Sequence, residues 1–199
     1  MKTQELSRHS GEIGSAIRGH KWEQHNNGIL IPSANAVVGG QYAYRVNEGP
    51  WSEWEPNLLP TEGLIFLLNL LGNHATIPTC YIALYANALT PIAAHTAAGF
   101  TATYSEITSG SEGYDEATRV AWVTATAATT AVIHNNASPA RFTIDTASSL
   151  TVNGVAMLTA SAKGATTGSL ISASRFAATR TFSDTDLFDV KYQIGLTSS

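Results

Sequence analysis

Residues 60–72, PTEGLIFLLNLLG, hold the one clear helix signal in the chain. They constrain the fold more than any other stretch. Thr61 is placed to act as N-cap, its hydroxyl accepting from a free backbone N–H. Glu62 falls in the first turn, where a negative charge suits the helix dipole. Gly72 follows the last apolar residue as a natural C′ position. Between these ends nearly every residue is large and apolar, and a helix apolar all round is predicted to be buried. About eleven residues span roughly 16 Å, too short for a bilayer core of ~30 Å. The expectation is one buried helix, about 61–71, lying under a sheet. Leu67→Ala or Leu68→Ala is then expected to cost roughly 2–5 kcal/mol.

The rest of the chain has the period of strands. Runs at residues 41–46, 80–86, 119–123, 131–134, 141–144, 150–158, 174–179 and 187–194 are apolar or alternating, with turn residues between them. The run at 80–86 is nearly continuous, which predicts a central strand. Gly154 predicts a bulge or kink within 150–158. Residues 29–38 read as an irregular strand broken by Pro32, and KGATTGS at 163–169 as a hairpin turn. Residues 51–55, WSEWE, place Trp51 and Trp54 on one face of an edge strand leading into the helix. That pair is a candidate surface for stacking a sugar. Residues 87–118 form a long connection with a short strand expected at 100–104. Many short strands and one helix predict a mainly β fold, an antiparallel β-sandwich or jelly roll.

Residues 1–28 differ from this body. They are polar, carry a net +1 and hold three of the six histidines, while the remainder carries −5. The division expected is an extended polar N-terminal arm, 1–28, and a single β-sandwich domain, 29–199. Arg8, Arg18, Lys21 and Trp22 are the candidate partner-binding residues of the arm, with Trp22 as its anchor. The arm has too little apolar surface to order alone and is expected to order on a partner.

Composition narrows function further. Charged residues make up 13% of the chain, about half the usual share of ~25%. A neutral surface rich in Ala, Thr, Ser and Gly is easily desolvated against a partner. With a net charge of −4 there is no basic field for nucleic acid. Cys80 is the single cysteine, so neither an internal disulfide nor a cysteine zinc site is expected. No apolar leader or membrane-spanning run is read, and the protein is expected to be made in a cytoplasm.

No catalytic pattern is legible. The histidines lack metal-clamping spacing, and neither a GxSxG elbow nor a Walker loop occurs. His134 reads as a strand-end residue. Asp184, Asp186 and Asp189 form the best carboxylate cluster, but they lack the glycine and terminal glutamate of an EF-hand. Arg175 and Arg180 are expected to pair with these acids in place of a metal. The expectation is no enzyme, no metal and no cofactor.

Several segments resemble a family of virion structural proteins of tailed bacteriophages. They are NLLPTEGL at 57–64, YIALY at 81–85, Thr90-Pro91, YDEATRVAW at 114–122, ARFTI at 140–144 and SRFAA at 174–178. The resemblance spans roughly residues 56–195 and excludes the arm. One departure is Ile65, where the family pattern often has Asn. What the resemblance implies is a capsid cement (head decoration) protein on the capsid exterior of a virion. It would bind the major capsid protein and itself, as a homotrimer, with no nucleic acid or membrane partner, and would be made in the host bacterial cytoplasm. A tail or fibre-attachment protein is the nearest alternative. A glycan-binding β-sandwich using Trp51 and Trp54 is the alternative of a different class.

Overall fold

The computed structural model describes residues 22–24, 30–32, 36–124 and 130–198. The chain divides into two compact units, Val38–Gly195 and a smaller one made of Met1–Val37 with Leu196–Ser199. Arg8, Arg18 and Lys21 lie outside the described residues, as does the side chain of Trp22. Within the smaller unit, β1 (Trp22–Gln24) pairs antiparallel with β2 (Leu30–Pro32), Trp22 opposite Pro32. One strand of this pair lies in the arm read at 1–28 and the other in the irregular strand read at 29–38.

The larger unit is mainly β. One sheet runs β11 (Leu170–Phe182), β10 (Leu150–Leu158), β5 (Tyr81–Tyr85), β7 (Val120–Ala121). The other runs β4 (Glu55–Pro56), β3 (Ala36–Val46), β12 (Leu187–Ser198), β9 (Ala140–Asp145), β6 (Gly113–Tyr114), with β8 (Val132–His134) also on β12. The registered pairs within both sheets are antiparallel. Ile82, Leu84, Val155, Met157 and Phe176 of the first sheet share one core with Tyr42, Tyr44, Phe142, Phe188 and Tyr192 of the second. This is the antiparallel sandwich that the turn spacing predicts. β9 shows the expected alternation, burying Ala140, Phe142 and Ile144 and turning Arg141 outward. The register between β10 and β11 shifts between Val152 and Gly154, which is the kink predicted at that glycine. A side chain there would run into the Tyr85 ring and the Ser174 carbonyl.

The helices differ most from expectation. α1 (Thr61–Leu71) forms where predicted, but Pro60 is its N-cap and Thr61 its first residue. Gly72 keeps a negative φ, and Asn73 takes the left-handed conformation in its place. Gly63 is the only fully buried residue of α1, so the helix is not buried.

The helix that does cover the first sheet is α2 (Ala97–Tyr104), in a stretch expected to hold a strand. Phe100-Thr101-Ala102-Thr103-Tyr104 alternates apolar and polar, which mimics a strand. Thr96 accepts from the Gly99 N–H at 3.4 Å, and Ser105 closes the helix in the left-handed region. Ala97, Phe100 and Tyr104 form its buried face. They pack with Ala83, Tyr85, Ala156, Leu158, Leu170 and Ala173 into a second core on the outer side of that sheet. β5 is thus covered on both faces, and this is why its sequence is continuously apolar.

Residues 51–54 are not a strand, because pairing begins only at Glu55, opposite Tyr42. The alternation of WSEWE therefore does not set one face for the tryptophans.

Candidate assembly surface

α1 is held on the body by its polar start. The Glu62 Oε2 accepts from the Ala97 N–H and the Leu170 N–H, each at 2.7 Å. It thereby satisfies one of the free amides at the start of α2 and ties both helices to β11. The Thr61 N–H donates to the Ala93 carbonyl at 2.9 Å. Gly63 lies against the backbone of Leu170 and Ile171, so close that a methyl group would have no room. Phe66 is half-buried against the main core. Gly63, Phe66, Leu67 and Leu70 thus form the inward stripe at helical spacing.

The opposite face has no cover from the larger unit. Leu64 is 41% exposed, Ile65 54%, Leu68 66% and Leu71 77%. Ile92, beside the start of α1, is also exposed. Alongside lies a pocket of about 340 Å³ lined by Thr61, Glu62, Ile65, Phe66, Asn69, Ala93, Ala94, His95, Thr96 and Ser169. The Tyr104 hydroxyl lies 2.7 Å from the His95 Nδ1 and fixes that ring. Burial pushes the Tyr104 phenol up to about 12. Sequence reasoning identified α1 but put this face inside. The signal it passed over is the second apolar stripe at 64, 68 and 71, outside the inward stripe of 63, 66, 67 and 70.

Some charged groups of the body pair with one another and others bond to neutral partners. Asp189 accepts from the Arg45 Nε at 2.8 Å and the Arg141 Nε at 2.7 Å. Burial alone would raise its carboxyl; the hydrogen bonds from Arg141 and Arg45 outweigh that and hold it below the usual carboxylate range. Arg45 and Arg141 thus take the place expected of Arg175 and Arg180, and Arg180 donates instead to the Tyr44 hydroxyl. Asp186 accepts from the Ser183 N–H and from Asn47, both at 2.7 Å, and Asp184 from the Thr146 N–H. The three carboxylates have separate partners. Among the described residues no set of three His, Cys, Asp or Glu side chains is placed to hold a metal ion.

Trp51 and Trp54 are both half-buried. The Lys191 ammonium lies 3.7 Å and the Arg45 guanidinium 4.8 Å from the Trp51 ring centroid. That ring is a seat for the protein's own cations. Cys80 is half-buried, and burial pushes its thiol up to about 11. His134 ends β8 and accepts from the Asn136 N–H. No helix among the described residues is long and apolar enough to cross a membrane. Comparison with protein-family models, with curated proteins and with solved structures returned no match.

Proposed function

We propose that this chain is a non-enzymatic structural protein that acts by docking, a cement protein on the capsid exterior of a tailed bacteriophage. The observation that carries the reading is the outward face of α1. A row of uncovered Leu and Ile side chains on an otherwise sparingly charged body is a surface for partners. The first turn of the same helix lies within NLLPTEGL, one of the segments that resemble the virion family. In this reading a homotrimer clamps adjacent subunits of the major capsid protein. Binding only the assembled shell, it stabilises that shell by its own binding free energy. The arm, through Arg8, Arg18, Lys21 and Trp22, adds contacts to neighbouring subunits.

The test is co-sedimentation with shells of the cognate major capsid protein. Full-length protein should bind saturably and raise the denaturant midpoint of the shell. Protein lacking residues 1–25 should need a higher concentration to decorate, and Trp22→Ala should show part of that loss. Binding to purified tails but not to heads overturns the capsid assignment, as does no binding to either.

A further inference from the structure

We propose that Lys191 and Arg45, set against the Trp51 ring, form a site for a carboxylate side chain of a partner protein. The inference rests on the assembly reading above, which supplies the partner, and names the chemistry of one contact.

The fold gathers three cations on one outer face. In β3, β9 and β12, Tyr44, Phe142, Phe188, Val190 and Tyr192 belong to the main core. Arg45, Arg141, Asp189 and Lys191 alternate with them and so share the opposite face. Asp189 stands directly across from Arg141 in the register of β9 and β12. Trp51 lies over the same face, its ring centroid 3.7 Å from the Lys191 Nζ and 4.8 Å from the Arg45 Cζ.

The acids of this face are already engaged. The Asp189 Oδ1 accepts from the Arg141 Nε, and its Oδ2 from the Arg45 Nε and the Arg141 Nη2. Glu48 pairs with Arg141 at 3.2 Å. Among the described residues no carboxylate lies within ion-pair distance of Lys191, and Arg45 spends only its Nε on an acid. Arg45, Arg141 and Lys191 thus face Asp189 and Glu48, and one positive charge is left over at Lys191.

Holding that charge beside Arg45 is unfavourable. Burial first, and then the Arg45 charge, keep the Lys191 ammonium below the ordinary lysine range, and Asp189 does not cancel them. A carboxylate reaching both the Lys191 Nζ and the Arg45 guanidinium would relieve the repulsion and accept charge-assisted hydrogen bonds from each. The Trp51 ring holds both cations in place beforehand, so less ordering is left for the binding step. A surplus of one matches a carboxylate, while a phosphate group of up to about two charges would overfill it. The chain beyond the arm carries a net −5, so an acidic segment is favoured at this face and repelled by most others. That asymmetry would orient the partner.

The experiment is an NMR titration of the full-length protein, labelled with carbon-13 at the lysine Cε, with a blocked tetraglutamate peptide. The Lys191 signal should shift saturably, and Lys191 should titrate at higher pH when the peptide is bound. Lys191→Gln should weaken peptide binding by about tenfold or more, read from tryptophan fluorescence. Lys191→Arg, which keeps the charge, should retain most of the affinity. Unchanged urea midpoints will show that both variants fold. A Lys191 signal that does not move, equal binding of a tetraglutamine peptide, or full affinity in Lys191→Gln overturns the inference. Inorganic phosphate that displaces the peptide at a lower concentration overturns the choice of carboxylate. Sodium acetate that shifts Lys191 as strongly as the peptide, at equal carboxylate concentration, overturns the choice of a protein partner. Shell binding separates the two readings. Protein that decorates shells but ignores the peptide removes the site and leaves the cement function, while protein that binds the peptide but no shells does the reverse.

Discussion

Glu106 and Arg119 form a two-pronged ion pair, Nε to Oε1 at 2.7 Å and Nη2 to Oε2 at 2.8 Å, with both side chains wholly buried. Further hydrogen bonds hold both groups. Arg119 donates to the Ala160 and Ala165 carbonyls, and Glu106 accepts from the Thr101 hydroxyl and the Gly164 N–H. The pair thereby joins the end of α2, the segment entering β7 and the loop between β10 and β11. Its geometry is that of a structural clasp, since both side chains are shut off from solvent and tie three segments together.

Removing one member leaves the other charged and buried. Arg119→Met and Glu106→Gln should each cost about 3–5 kcal/mol. Urea denaturation followed by tryptophan fluorescence is the measurement. The double variant Glu106→Leu with Arg119→Met should recover part of the loss, because it leaves no orphaned charge. A loss below ~1 kcal/mol for both single variants would mean that the pair is open to water.

A contrast between two positions tests how α1 is seated. Gly63→Ala must push the helix off the Ile171 carbonyl and should cost about 1–3 kcal/mol, despite the better helix propensity of Ala, worth roughly 1 kcal/mol. Leu68→Ala, on the outer face, should change the stability of the monomer by no more than about 0.5 kcal/mol. Chemical denaturation at a concentration below self-association compares them directly. The reverse order would put Leu68 inside and Gly63 outside.

Asp189 makes stability depend on pH in a defined direction. Its folded carboxyl lies below its unfolded value of about 3.9. The stabilisation is therefore complete above that value and disappears as pH falls through the folded one. Asp189→Asn should cost about 1.5–3 kcal/mol at neutral pH, towards the lower end because Arg141 is partly exposed to solvent. Urea midpoints measured from neutral pH downward should converge for variant and wild type in acid. A constant gap across that range would show that the loss comes from packing and not from the ion pairs.

The sequence by itself determined the class of fold and most of the strands. Alternation in ARFTI, the continuous run YIALY and the bounds of 150–158 are local properties, because a strand facing one core must alternate and a strand covered twice need not. It also determined where α1 begins and ends, since a proline bounds the apolar run on one side and a glycine on the other. What tertiary structure decided is which apolar surface goes inside. α1 is apolar nearly all round, so its sequence has no preferred inward face. The choice fell to Gly63, the one position where the helix can lie directly on the backbone of β11. Residues 100–104, FTATY, carry a period-two pattern that competes with helix, and packing of Phe100 and Tyr104 against Tyr85 resolves it. The ion pairs lie further still from local reading. Asp189 meets Arg45 and Arg141 across 144 and 48 residues. Pairing at such separation depends on the order of strands in a sheet, which side-chain chemistry along the chain does not encode.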